Sequence, residues 1–180
     1  MSFLNDIKIY GVVAIVVGAL AVLMAVYGMI DQGASARTIA PAIPGIMIIF
    51  VGFLAYTGKT RVKRTAVANF LLFVGIGIFV AACLGVYGEN LALMVGVIAG
   101  LIAAYVGFML YKNRKLDNIW WILLVVVFLL LIIFDILSAF DQDHGKLSGI
   151  LRAVSYLLHI VLYVYIMYFL FSDEVKRKFN

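Results

Sequence analysis

The sequence predicts an all-α integral membrane protein of six transmembrane helices, arranged as three tandem helical hairpins with both termini cytoplasmic. Three observations predict it. First, the 180 residues are 66% hydrophobic and only 13% charged, with mean hydropathy +1.16; a soluble globule runs near ~45–50% apolar and ~25% charged and has no interior for such a surplus. Second, six apolar stretches approach or exceed the ~20 residues that a helix rising ~1.5 Å per residue needs to cross a ~30 Å hydrocarbon core. Third, the basic residues gather in alternate connections. A β-barrel is excluded because residues 122–134 are apolar at every position, where barrel strands alternate.

The first stretch, residues 9–30, follows Lys8 and precedes Ala34-Ser35-Ala36, as a signal peptide would. Its 22 residues exceed the ~7–15 of a signal core, so it reads as an anchor that is kept. Gly11, Ala14, Gly18, Ala21, Ala25 and Gly28 recur along it at spacings of 3 and 4, a seam of small residues on one helical face. The second stretch, 40–57, carries Pro41 and Pro44 near its start, where a missing N–H does least harm. The third, 65–87, holds Asn69 near its first turn, expected to make an interhelical hydrogen bond. In the fourth, 91–111, Gly96, Gly100 and Ala104 form a small-xxx-small ladder. In lipid there is little hydrophobic drive between helices, so close backbone approach along such faces lets van der Waals packing win. Packing within the chain is the favoured use of these faces, and packing on another subunit the alternative. The fifth stretch, 119–140, is bulky, which suits a peripheral place, and Trp120 and Trp121 mark its interface. The sixth spans 150–171.

Orientation follows from the positive charges, which resist translocation. Of the 14 Lys and Arg residues, Lys8, Lys59, Arg61, Lys63, Arg64, Lys112, Arg114, Lys115, Lys176, Arg177 and Lys178 fall on one side, and Arg37, Lys146 and Arg152 on the other. The net charge of +5 is then a topology signal and calls for no nucleic acid. The membrane expected is a plasma (cytoplasmic) membrane.

The basic clusters close three successive hairpins, about 9–64, 65–117 and 118–180, within one polytopic domain. Val51-Gly52-Phe53-Leu54-Ala55-Tyr56 with Lys59 matches Val106-Gly107-Phe108-Met109-Leu110-Tyr111 with Lys112 at an offset of 55, and Val26-Tyr27-Gly28 recurs as Val86-Tyr87-Gly88 at an offset of 60. Asp31-Gln32 and Asp141-Gln142 lie 110 apart. These matches read as a degenerate repeat of ~55–60 residues with a diverged third copy.

Chemistry is constrained by what is missing. Cys83 is the single cysteine, so no disulfide relay forms within the chain. No lysine lies inside a span to hold a Schiff base, and one intramembrane histidine cannot ligate a haem from both sides. No serine elbow, HExxH motif or phosphate-cradling glycine loop occurs. No catalytic, cofactor-binding or metal residue is assigned, and no enzyme is expected.

The polar residues that remain concentrate in the third hairpin. Asp135 and Arg152 both lie near its outer end, and intramembrane charges usually pair, so an Asp135–Arg152 ion pair is expected. From Arg152, the residues Tyr156, His159 and Tyr163 follow at spacings of 4, 3 and 4, one polar stripe reaching mid-membrane. His159 is expected to be neutral and hydrogen-bonded, with proton relay or ligand binding the alternative. Asp141-Gln142-Asp143-His144-Gly145 lacks the length and distal Glu of a calcium loop and reads as solvated.

Two functions follow. The first is a non-catalytic accessory or scaffold subunit that packs against other membrane-protein subunits, or against copies of itself, through the small-residue faces. The alternative is a small transporter or channel using the Asp135/Arg152/His159 stripe. Transport paths usually draw midplane polar groups from several spans, and the first two hairpins supply almost none, which ranks the subunit first.

Overall fold

The computed structural model of the protein describes residues 6–40, 42–84, 90–140 and 147–179. It is all-helical, 85% helix, with no strand among the described residues. Helix α1 (Ile7–Gln32) is capped by Asp6, whose carboxylate accepts the Lys8 N–H at 2.8 Å. A short α2 (Ala36–Ile39) follows, its Ser35 and Thr38 side chains each taking the other's backbone N–H, which satisfies donors that a helix start leaves unpaired. Next come α3 (Ala42–Tyr56), α4 (Lys63–Asn69) and α5 (Gly75–Cys83). A π-helical turn at Phe70–Val74 joins α4 to α5 in one continuous rod. Then follow α6 (Asn90–Tyr111), α7 (Asn118–Phe140), α8 (Leu147–Leu170) and a short α9 (Asp173–Lys176).

Among the described residues, four helical stretches, Ile7–Asp31, Lys63–Cys83, Asn118–Leu137 and Gly149–Leu170, are long and apolar enough to cross a membrane; Ala42–Tyr56 is a shorter apolar helix, and Val97–Tyr111 is the fully described part of the 22-residue α6. Much of the outer surface is bulky and apolar, including Leu23, Ile30, Leu130, Leu137 and Phe140. Water-soluble monomers rarely expose apolar patches beyond a few hundred Å², so this surface is compatible with a membrane protein.

The helices pair in order: α1 with α3, the α4–α5 rod with α6, and α7 with α8. Glycines set the first two pairings. A Cβ added to Gly11 would lie 2.8 Å from the Gly52 carbonyl oxygen, and one added to Gly18 would lie 2.5 Å from that of Gly45. Across the second pair, Cβ atoms added to Gly75 and Gly100 would each lie 2.8 Å from the other's carbonyl oxygen, and one added to Gly107 would lie 2.8 Å from that of Ala68. In both pairs, a seven-residue advance on one helix matches a seven-residue retreat on the other, so the helices run antiparallel. A step of seven is the 3.5-residue repeat of a shallow left-handed crossing. The third pair keeps that step without glycine: Trp121 Nε1 donates to the Leu170 carbonyl at 3.2 Å, and seven residues on the Phe128 ring meets Tyr163 at 5.8 Å.

The faces that the sequence offers to partners are thus filled from within the chain at Gly11, Gly18 and Gly100, and the Ala104 N–H lies against Gly75. Gly28 is a departure. Nothing lies within 4 Å of its Cβ position, because the α1–α3 contact gives out beyond buried Ala25. Gly96 lies outside the residues whose side chains are described.

The core concentrates at the end of the bundle where the basic residues gather. Tyr10 of α1 is fully buried, its ring 5.4 Å from Phe169 and 6.2 Å from Tyr165 of α8. Phe70 meets Phe128 at 6.3 Å. Past α8 the chain folds under this end, where α9 buries Val175, Phe179 is fully buried beyond it, and the Leu116 N–H donates to the Lys178 carbonyl at 2.6 Å.

Candidate functional site

Helices α7 and α8 carry the polar residues singled out in the sequence, and their register decides which of them meet. Trp121 sits at Leu170 and Phe128 at Tyr163; one further heptad brings Asp135 level with Tyr156. Arg152 is four residues nearer the loop, about one turn or ~6 Å along the axis, and it is exposed. Asp135 is 7% exposed, and its Oδ2 is buried without a hydrogen-bond partner. Among the described residues no ion pair joins Asp135 to Arg152. The pairing expected from their shared interface therefore is not made, since the antiparallel register offsets them and the long arginine side chain gains more from solvent.

The rest of the stripe lies partly buried on α8. His159 Nδ1 stands 2.7 Å from the Ser155 carbonyl oxygen. A carbonyl only accepts, so Nδ1 holds a proton and donates. The His159 and Tyr163 rings are 6.2 Å apart. The structure thus brings His159 and Tyr163 together and leaves Arg152 exposed, while the heptad register sets Asp135 level with Tyr156. The loop segment Asp141 to Gly145 lies outside the described residues. Among the described residues no group of three or more His, Cys, Asp and Glu side chains is gathered to hold a metal ion.

A second polar cluster occupies the basic end, and sequence reading singled out only part of it. Asn69 bonds to the connection before its own helix: its Nδ2 donates to Thr60 Oγ1 at 3.1 Å, both residues being buried. The turn after α3 uses Gly58 at φ +75°. The turn after α6 uses Asn113 at φ 58°, with the Asn113 N–H bonded to Leu110 and the Arg114 N–H to Met109, a Schellman stop. Asn113 Oδ1 also accepts from Arg64 Nη1. Lys63 Nζ lies 4.9 Å over the Tyr168 ring, and Lys176 Nζ 5.5 Å over Trp121, as cation–π contacts do. Thr60 and Asn113 carry no motif in the sequence; a Thr or Asn following Gly or Lys at a helix end was the available signal.

Comparison of the chain with protein-family models, with curated proteins and with solved structures finds no match. What the fold and site define is an all-helical protein with, among the described residues, four helices of membrane-crossing length and apolarity.

Proposed function

We propose that this chain is a multi-pass membrane protein of six spans in three hairpins, with both termini cytoplasmic, acting as a non-catalytic accessory or scaffold subunit among other membrane proteins. The observation that carries the reading is how the polar and small residues are used. The glycine faces of α1 and α6 close on α3 and α5 of the same chain, giving a pre-packed body whose outward faces are bulky and apolar. Partners would then meet α7 and the outer face of α1 through shape and dispersion.

A duplication of the first two hairpins is part of this reading. Gly45, Gly52 and Gly58 stand where Gly100, Gly107 and Asn113 stand 55 residues later. Gly52 lies against Gly11 and Ile15, and Gly107 against Ala68 and Leu72, a common offset of 57 on the facing helix.

One observation favours the second reading, a transporter or channel: the buried Asp135 oxygen without a partner, facing a helix that bears Tyr156, His159 and Tyr163. Reconstitution separates the two. Purified protein alone in proteoliposomes should show no proton or cation flux above empty vesicles, and native gentle-detergent purification should yield a stoichiometric membrane-protein partner. Flux by the protein alone, abolished by Asp135→Asn, would put the transporter first.

A further inference from the structure

At the basic end, a crevice of about 470 Å³ opens between the α3–α4 connection, the α4–α5 rod and the end of α6. Volumes of ~300–1,000 Å³ are typical of small-molecule sites. Its lining is of two kinds. Leu54, Leu72 and Phe73 are its apolar lining, and exposed Lys59, half-buried Thr65 and exposed Tyr111 its polar lining. Behind them the Asn69–Thr60 hydrogen bond fixes the polar floor. The lining includes one cation and no carboxylate.

The backbone is irregular at the same place. The π-helical turn spans Phe70–Val74, directly after Asn69, and contributes Leu72 and Phe73 to the apolar lining. Such turns break the regular i→i−4 ladder and occur frequently at functional sites. Gly107 of α6 packs closely on the backbone of the turn at Leu72, where a side chain would not fit. Phe73 is fixed in turn by an edge contact to Phe50 at 5.0 Å.

We infer that this crevice binds one anionic phospholipid, its phosphate at Lys59, Thr65 and Tyr111 and its first acyl methylenes on Leu54, Leu72 and Phe73. The apolar lining selects a lipid over a free phosphate, which would leave that part of the site unused. The lysine and the two hydroxyl donors select an anionic headgroup over a zwitterionic one, whose choline would meet Lys59 with like charge. The inference rests on the membrane reading above.

The test uses the full chain, first shown to stay with membranes through alkaline carbonate extraction, then delipidated in detergent. Native mass spectrometry with added phosphatidylglycerol or phosphatidylcholine counts bound lipid. One phosphatidylglycerol should be retained in preference to phosphatidylcholine. Lys59→Ala should weaken it about fivefold, the worth of one lysine against an anionic headgroup, whereas Lys115→Ala, at the same end but outside the crevice, should leave it unchanged. Thr65→Trp should fill the site and abolish retention; Lys59→Glu, at an exposed position that cannot threaten the fold, should do the same. Equal retention of both lipids, equal effects of Lys59→Ala and Lys115→Ala, or displacement by millimolar inorganic phosphate would overturn the inference. Release of the chain by carbonate would instead overturn the membrane reading.

Discussion

A buried carboxylate oxygen with no partner costs folding free energy that packing elsewhere must offset, and Asp135 presents one. Arg152, exposed and about a turn away along the helix axis, does not relieve it. The two substitutions should therefore behave independently. Arg152→Ala should change stability by no more than ~0.5 kcal/mol, as surface changes do, and Asp135→Leu should leave stability unchanged or raised. Unfolding in mixed detergent–dodecyl sulfate micelles measures both. A loss of ~3–5 kcal/mol on Arg152→Ala, the cost of stranding a buried charge, would show that the pair forms after all. That these two residues matter is legible in the sequence, because charges are rare in apolar helices. Their failure to meet is not, because it depends on the α7–α8 register, which Trp121, Phe128, Tyr163 and Leu170 set jointly from both helices.

At the scale of elements, the small-residue rhythm of α1 was readable, but its extent was not. Gly18 and Gly28 belong to the same series of 3 and 4 spacings, yet only Gly18 touches α3, because the contact depends on where α3 begins and how the two helices diverge. Gly18→Leu should clash with the Gly45 carbonyl and with Ile49, at ~1–3 kcal/mol or more for an overpacked contact. Gly28→Leu, with open space around it, should be neutral or gain a few tenths from helix propensity, glycine being ~1 kcal/mol worse than alanine in a helix interior. Thermal unfolding of the two variants in one detergent checks the contrast, and equal midpoints would mean that Gly18 is not a contact. The helix positions themselves came close: residues 9–30, 91–111 and 119–140 were expected where Ile7–Gln32, Asn90–Tyr111 and Asn118–Phe140 are found. Two features had no sequence marker. The π turn at Phe70–Val74 lies within an unbroken apolar run. Likewise, Val175 and Phe179 lie among charged residues, and only the docking of the chain beneath α8 shows them to be core.

For the whole molecule, the contacts at the basic end tie together segments from every part of the chain. Asp6 and Lys8 share a cleft with Gly58 and Arg61, Arg64 reaches Asn113, and Lys178 accepts from Leu116. The start of α1, the turns after α3 and α6 and the segment after α8 thus all lie at one end. If the bundle sits across a membrane, the chain must cross it an even number of times, and under the proposed orientation, argued from the charge bias, this end is the cytoplasmic one. Reporter fusions after Lys115 and at Asn180 should therefore both read cytoplasmic, and one after Lys146 external. The short apolar helix α3, Ala42–Tyr56, is the weakest of the six crossings. A 15-residue helix rises only ~22 Å, so α3 crosses only by drawing on the short α2 before it or by local thinning of the bilayer, a modest cost per ångström of mismatch. Were α3 alone to fail to cross, the chain would be one crossing short at both Lys115 and Asn180, and both reporters would read external. Opposite readings at Lys115 and Asn180 would show that only one of α7 and α8 crosses; with external readings at both, a reporter ahead of Asp6 that reads cytoplasmic would mark a failed α3, and one that reads external would overturn the charge argument while leaving the bundle intact.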